Sequence, residues 1–510
     1  MAVAADIDRW HPLRPLKNKK VYIMNTVITK IAAAASLAVL LAACGTVGQD
    51  FKAPANVAGI DTATFRHGSA TADAAQLPAD WWSVFGDDTL NRLEQSALRD
   101  NPGVKAAGER LLQALAQSGT ARANQGPSVN LSTGISNSRT SANTSQGLAL
   151  GNRSISGNNF SVGGSLSYEI DLLGRVKRMV EAADAQVLVS QADRDGVLQM
   201  LSAQVASNYW QLRGLDAEMT ILDGALGTRR ESLQLVDARF NAGLTNELDL
   251  ARAKVELQNA QADLHEVKRQ RNQLENSLAT LTGKPPAALQ LPLASDPAAL
   301  PQPPMIPVGL PASLLAHRPD LVSSVAGLRA FNAQVGVAEG AFYPSLQLTG
   351  NFGYASEKLR DLAQGGSRQF SAGPLALSLP IFDAGRNQAN LDLSKARYNE
   401  ALANHETKLL TALREVEDAL SDVEQRQLQG DAQALSQEAA ARAYLVARTR
   451  YERGVSNYLD VTDAQRSSLA ADRAAVQIKT QRLLATVAVA RSLGAGWQPQ
   501  GDLAKVATAN

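Results

Sequence analysis

The sequence predicts an α+β fold built from two structural repeats, and three observations support this. Residues 239–250 (RFNAGLTNELDL) are echoed by residues 450–461 (RYERGVSNYLDV) at a constant offset of 211. Each half contains both strand-like stretches and very long helix-like stretches. Proline is absent from 128–284 and from 381–498 but crowds into 285–311. Because proline disrupts helix interiors, the pattern indicates two helical repeats joined by an extended linker.

The echoed segments are predicted to be turns between helices. The same offset pairs Gly174-Arg175 with Gly385-Arg386, and Gly283 with Gly494. A glycine closes one helix, and Thr245 or Asn246 can cap the next, with acidic residues favourable in its first turn. The repeat-signature turn residues are Gly243, Asn246, Asp249, Gly454, Asn457 and Asp460.

These features divide the chain into five parts. They are an upstream segment with a signal peptide (1–43), a first repeat (44–284), a proline-rich linker (285–311), a second repeat (312–498) and a C-terminal tail (499–510).

The start of the mature chain is predicted at Cys44, the single cysteine of the sequence. A charged region ending at Lys30, an apolar run over 31–43 and Leu-Ala-Ala-Cys resemble a lipoprotein signal peptide with its lipobox. The resemblance implies cleavage before Cys44, lipidation of that residue, and Met24 rather than Met1 as the initiator. The alternatives are an uncleaved anchor, for which the apolar run is short, or a buried cysteine.

Four stretches alternate between apolar and polar residues and are predicted to be strands. They cover about 128–136, 159–170, 345–354 and 370–381, and the last changes phase at Pro374. One alternative is a pair of soluble hairpins packed on the helices. The other is a lipid-facing sheet, which must close by oligomerisation because open edges leave backbone groups unsatisfied in a bilayer. The lipobox favours the lipid-facing sheet.

The longest helix is predicted over about 386–450. A run of about 60 helical residues is about 90 Å long, so such helices must pack side by side in a bundle or tube. A seam at a 3.5-residue spacing indicates coiled-coil packing. Its members are Leu409, Leu413, Val416, Leu420 and Val423. The corresponding helix of the first repeat is expected to break near Arg213-Gly214.

Together these features resemble the TolC-type outer-membrane efflux proteins, in particular the lipoprotein subgroup that serves RND pumps. Residues 47–54 match that subgroup's opening motif, although Gln49 replaces a proline. Trp81-Trp82 with Phe85, Asp87 and Leu90 match its next motif, and 450–465 match the signature of its second repeat. The resemblance covers 44–498.

The resemblance implies a trimeric channel-tunnel with a shared transmembrane β-barrel, four strands per protomer, and a long periplasmic α-helical barrel. It implies a homotrimer in the outer membrane of a Gram-negative bacterium, lipid-anchored through Cys44. The partners would be a periplasmic adaptor (membrane fusion) protein and an inner-membrane RND pump. The Trp81 region and the C-terminal segment would form a belt around the tube, with the turns at Gly243 and Gly454 at that level.

The resemblance also implies a periplasmic gate where the tube narrows at its tip. Residues 212–216 would form the tip of the first repeat, and 418–427 that of the second. The expected gate residues are Asp216, Asp418, Leu420 and Asp422. Inward carboxylates in three copies would favour cations, and a leucine ring could close by dewetting.

No catalytic motif, cofactor motif or metal-binding spacing is present in the sequence, so an enzyme is not expected. The balanced formal charge of +1 gives no reason to expect a nucleic-acid partner. The leading prediction, which the resemblance implies, is the outer-membrane channel of a tripartite RND-type efflux system, a passive conduit for export. The alternatives are the outer-membrane channel of a type I protein-secretion system, which shares the fold, and a structural coiled-coil lipoprotein, which would leave the four strands unexplained.

Overall fold

The computed structural model describes residues 45–53, 65–67, 78–294, 300–304, 306, 318–497 and 501–503. Cys44 and the segment 1–43 lie outside the described residues, as do parts of the linker 285–311 and of the tail 499–510. The chain forms two compact units. One is built on Pro127–Lys177 and Glu339–Phe382, and the other on Gln49–Gly126, Arg178–Ala338 and Asp383–Asn510.

The elements of the described residues are as follows. The helices are α1 (Asp88–Asp100), α2 (Pro102–Ala123), α3 (Ser145–Ala149), α4 (Arg175–Asn241), α5 (Glu247–Leu281), α6 (Pro319–Gly340), α7 (Arg386–Glu452) and α8 (Tyr458–Ser492). The strands are β1 (Ser128–Arg139), β2 (Ser156–Ile170), β3 (Ser345–Ser356) and β4 (Arg368–Ser378). Among the described helices, none is both long and apolar enough to cross a bilayer.

The first unit is an antiparallel sheet in the order β1-β2-β3-β4. Its register aligns the apolar positions of all four strands: Leu131 lies opposite Gly164, which lies opposite Phe352, which lies opposite Phe370. Successive side chains of a strand point to opposite faces, so one face is apolar across the sheet and the other carries Ser, Asn, Gln and Thr. Each strand predicted from alternation is present.

The predicted change of phase at Pro374 is a bulge in the sheet. The register between β3 and β4 shifts between Leu348 and Gly350. Two residues of β4, Gly373 and Pro374, are accommodated there, and the apolar residues on both sides of the bulge remain on one face. β4 ends at Ser378 rather than at the predicted residue 381.

The two repeats are matched in length within the second unit. α4 and α7 each have 67 residues, and α5 and α8 each have 35. The bounds of the second pair follow those of the first at the offset of 211 read from the sequence. The glycines paired at this offset all have left-handed backbones, which Gly adopts without a Cβ penalty.

The break expected near Arg213-Gly214 is wrong, because α4 continues through both residues. Gly214 has a packing role instead. A Cβ on Gly214 would overlap the hydroxyl of Thr480 in α8 and approach its other side-chain atoms within 2.8–3.1 Å. The glycine therefore permits a close approach of α4 and α8.

An aromatic cluster surrounds the middle of α4. The 3₁₀ turn Trp81–Phe85 buries Trp81, Trp82 and Phe85 against Tyr209 and Trp210 of α4. Asp87, which follows this turn, caps α1 through the amides of Thr89 and Leu90 and also accepts a 2.6 Å hydrogen bond from the Tyr209 hydroxyl. Residues of α8 complete the cluster, including Leu483 and Val487.

Candidate functional site: two paired helix-hairpin turns

Turn 1 (242–246) joins α4 to α5, and turn 2 (453–457) joins α7 to α8. Gly243 has φ 74° and Gly454 has φ 77°. The amide of Leu244 donates to the carbonyl of Arg239 at 2.8 Å, and that of Val455 donates to Arg450 at 2.9 Å. This is the Schellman arrangement, in which a left-handed glycine satisfies the last carbonyls of a helix.

Each turn also starts the next helix in the same way. The side-chain oxygen of Asn246 accepts from the amide of Asp249 at 2.9 Å, and that of Asn457 accepts from Asp460 at 3.0 Å. Of the two residues predicted to cap α5, Asn246 therefore makes the amide bond, while the Thr245 hydroxyl donates to the Asp249 carboxylate at 2.7 Å. The repeated sequence thus ends one helix and begins another.

The two turns pack against each other within one chain. The guanidinium of Arg239 donates to the carbonyls of Tyr451 and Glu452, both at 3.1 Å, and lies 4.5 Å from the centre of the Tyr451 ring. Further along the same pair of helices, Arg448 of α7 lies 3.8 Å from Glu231 of α4, about one turn from Tyr451 and two turns from Arg239. A buried apolar cluster lies between the hairpins. It contains Val236, Leu250, Ala253, Tyr451, Tyr458 and Val461.

The positions expected for the turns and the gate residues along the helices are wrong. At 1.5 Å per residue, Asp216 is about 40 Å from Gly243 along α4, and Asp422 is about 50 Å from Gly454 along α7. Because neither helix breaks, 212–216 and 418–427 are mid-helix segments. The Trp81 cluster packs beside 212–216, so turns 1 and 2 lie far from that level, at the helix ends.

Asp216 forms ion pairs inside the chain and does not face a channel. Its side chain is fully buried and pairs with Arg271 at 2.6 Å and Arg213 at 3.0 Å. The same two arginines donate to linker carbonyls, Arg271 to Leu291 at 2.7 Å and Arg213 to Pro292 at 2.9 Å. Breaking a buried ion pair on one side leaves an uncompensated charge and is strongly destabilising. Asp216 therefore fastens α4, α5 and the linker together.

Leu420 is also buried and does not form an open ring position. It packs with Leu409 and Val416 of α7, Leu321 of α6 and Val489 of α8. The seam predicted from the sequence is thus partly a contact within the chain.

Asp418 and Asp422, in contrast, are exposed. They form solvent-accessible pairs with Arg414 at 3.4 Å and Arg426 at 3.8 Å, respectively. At 100° per residue they lie on the opposite side of α7 from Leu420. These two carboxylates are available to line a surface of an assembly.

Two buried glutamates escape prediction from the sequence. Glu94 of α1 is fully buried, and burial raises its pKa to about 9, although Ser202 and the main chain of Ala206 lie beside it and lower the pKa less. Neither of its carboxyl oxygens has a partner that meets full hydrogen-bond geometry. Glu256 of α5 is buried between Arg229 and Arg466. In the part of the chain that the structure describes, no group of His, Cys, Asp and Glu could hold a metal ion.

A two-faced sheet combined with duplicated long helical hairpins defines the α+β channel-tunnel class of outer-membrane proteins. The family model described as outer membrane efflux protein matches residues 93–284 and 310–495. The chain belongs to the outer membrane efflux protein family, and the resemblance drawn from its motifs is confirmed. Its function is that of an outer-membrane efflux channel.

Individual relatives agree with this assignment. The chain is 36% identical over 421 residues to outer membrane protein OprJ of Pseudomonas aeruginosa, covering 82% of this chain and 86% of the relative. It is 32% identical over 431 residues to the probable efflux pump outer membrane protein TtgC of Pseudomonas putida, covering 84% and 88%. The solved structure of the outer-membrane channel OprN matches with a TM-score of 0.80 at 29% identity, covering 89% of this chain and all of that one.

Proposed function

We propose that the protein is the outer-membrane channel of a tripartite RND-type efflux system, a passive conduit that exports small molecules from the periplasm or the pump to the exterior. The observation that carries this proposal is the register that keeps one face of the sheet apolar and the other polar across all four strands. β1 and β4 are both edge strands. Sheets from three protomers, joined edge to edge, would close a twelve-stranded barrel with lipid outside and polar side chains inside.

The proposed partners are two further copies of the chain, a periplasmic adaptor protein and an inner-membrane RND pump. The family supports this assignment, because the matched relative TtgC is described as an efflux pump outer membrane protein. A conduit needs no reaction of its own, and the pump would supply the energy. The efflux relatives do not favour the type I protein-secretion alternative.

Cys44 is proposed as the lipidated residue that anchors each protomer to the outer membrane. The support is the lipobox that precedes it in the sequence. Labelled palmitate that enters the wild-type protein but not Cys44→Ser would identify the anchor, and equal labelling of both would remove it.

Asp418 and Asp422 are proposed to line the interior of the assembled tube. Their support is their exposure on one face of α7, away from the apolar cluster around Leu420. Asp216 and Leu420 are not proposed as lumen residues, because both are buried within the chain.

The membrane placement of the sheet can be tested with neighbouring substitutions on β1. Leu131 is 77% exposed in the isolated chain and lies on the apolar face, whereas Ser132 lies on the polar face. Leu131→Lys should reduce the amount of protein inserted in the outer membrane, because a lysine facing lipid near the midplane costs about 2–4 kcal/mol. Ser132→Lys is the matched control and should insert normally.

The measurement is the amount of protein in outer-membrane fractions that resists extraction by urea. Equal insertion of both lysine variants would contradict a lipid-facing apolar surface, and with it the proposed channel.

A further inference from the structure

The contact between turns 1 and 2 within a chain provides a template for a contact between chains. We propose that turn 2 of one protomer packs on turn 1 of the neighbouring copy, with Arg450 bound to the carbonyls of Phe240 and Asn241 and with Arg442 paired to Asp237. This inference rests on the trimer of the proposed function and identifies the residues that hold its hairpins together.

The template has two polar parts. Arg239 of the first repeat binds the carbonyls of Tyr451 and Glu452 in the second and lies over the Tyr451 ring. About two helical turns earlier in α4, Glu231 of the first repeat lies 3.8 Å from Arg448 of the second. Both contacts run from the first repeat to the second.

Each residue of this contact has a counterpart in the other repeat, 211 positions away. Replacing every residue by its counterpart gives the contact expected between the second repeat of one chain and the first repeat of the neighbouring chain. Arg239 becomes Arg450, and the ring of Tyr451 becomes that of Phe240. An arginine is therefore again available to donate to carbonyls at a helix end and to cover an aromatic ring. Glu452 becomes Asn241, whose carbonyl is equally able to accept.

The charged pair strengthens the case independently. At the same offset, Glu231 becomes Arg442 and Arg448 becomes Asp237. Both signs are reversed, so the attraction is retained although each residue has changed. If the hairpins touched only within a chain, Arg442 and Asp237 would not meet, and nothing would require them to carry opposite charges.

The residues required for the contact are accessible. Arg442, Arg450 and Asp237 are exposed, and Phe240 retains 36% of its surface. In the described part of the chain, the guanidinium groups of Arg442 and Arg450 have no hydrogen bond or ion pair, unlike that of Arg239. Asp237 accepts only a 3.4 Å hydrogen bond from Asn241.

The arrangement also closes geometrically. A contact from the first repeat to the second, followed by an equivalent contact from the second to the next first repeat, is a heterologous interface. Such interfaces form rings when the rotation closes. Three chains would then form a ring of six similar hairpins, with three contacts inside chains and three between them.

Paired cysteines in the full-length membrane protein test this interface. Asp237→Cys/Arg442→Cys, treated with a short bismaleimide in membranes, should convert most of the monomer on a denaturing gel to covalent dimer and trimer. Glu231→Cys/Arg448→Cys is the matched control and should crosslink within the chain, leaving the band at the monomer position. Single-cysteine variants control for crosslinks through Cys44.

The outcomes separate this inference from the proposed function. A particle that is trimeric in mild detergent but whose 237/442 pair remains monomeric would overturn the interface and leave the channel intact. A particle that is not trimeric would also overturn the proposed function. As a second measurement, Asp237→Arg or Arg442→Asp alone should lower the temperature at which the trimer dissociates, and the two together should restore it. Failure to restore it would count against the pair.

Discussion

At the residue scale, Glu94 shows why burial is difficult to read from one sequence. Leu90, Leu93, Glu94 and Ala97 are spaced as one helical stripe, and the structure buries all of them. The spacing of Glu94 already places it within the apolar stripe. Glutamate is rarely fully buried, however, so a glutamate next to such a stripe is usually taken as its polar edge. The burial of its carboxyl group comes from tertiary packing, which places Ser202 and Ala206 of α4 beside it.

The raised pKa of Glu94 predicts a pH dependence of stability. Its folded pKa is about 9, above the ordinary value of 4.5, so between these values the folded state binds more protons than the unfolded state. The contribution to stability is full below pH 4.5 and is lost as pH rises toward 9, by up to about 1.4 kcal/mol per pH unit. Glu94→Gln should remove this loss.

The measurement is the thermal unfolding midpoint of the detergent-solubilised protein from pH 5 to pH 8.5. Glu266→Gln is the control, because the exposed Glu266 bonds to Arg269 and Gln270, which lower its pKa to about 2, leaving it ionised throughout this range. A wild-type slope that survives in Glu94→Gln would rule out this carboxyl group as its source.

At the element scale, most of the fold could be predicted because its periodicities are local. Alternation identified the four strands, and the phase change at Pro374 anticipated the bulge between β3 and β4. The prediction of a break at Gly214 was wrong because a glycine can serve either of two roles: it allows unusual backbone angles, or it lets another element approach closely because it has no side chain. Its use here depends on Thr480, a residue 266 positions away that local sequence cannot bring into view.

The same distinction predicts opposite effects for two glycines. Gly243→Ala should destabilise the α4–α5 hairpin by roughly 1–2 kcal/mol, because its φ of 74° is unfavourable for a residue with a Cβ. Gly224→Ala should stabilise the protein by roughly 0.5–1 kcal/mol, since Gly224 lies inside α4 and no atom beyond the adjoining helix backbone lies within 4 Å of the place that the alanine methyl would take. Thermal unfolding of both variants provides the measurement, and shifts of the same sign would contradict the two assignments.

At the scale of the whole molecule, the family and its channel function could be predicted because order and duplication of motifs survive in the linear sequence. The positions of the turns and of the expected gate residues along the helices could not be predicted. The resemblance implies tip positions for Asp216 and Asp422, whereas the hairpin ends carry Gly243 and Gly454. Asp216 is fixed by Arg271 and by main-chain groups of the linker: the amide of Ala294 donates to its carboxylate, and linker carbonyls accept from its arginine partners. Main-chain groups leave no pattern of side chains to recognise.

The proposed lumen position of Asp422 predicts an effect on ion selectivity. Three inward carboxylates should favour cations, and their exposed pairing with Arg426 offsets only part of this charge. Asp422→Asn should therefore lower the preference for cations over anions in planar bilayers, and Asp418→Asn/Asp422→Asn should lower it further.

Reversal potentials under a salt gradient provide the measurement, with the exposed Glu266→Gln on α5 as the control. Unchanged selectivity in the double variant would remove this face of α7 from the lumen.

The equal lengths of α4 and α7 restrict how the gene can change. Deleting one residue from either helix shortens it by about 1.5 Å and rotates everything beyond by about 100°. The turn of one hairpin would then be shifted and rotated relative to the turn of the other, and the contacts between Arg239 and Tyr451 would be lost. Insertions and deletions in these helices should therefore persist only when both repeats acquire them, whereas substitutions can accumulate separately in each.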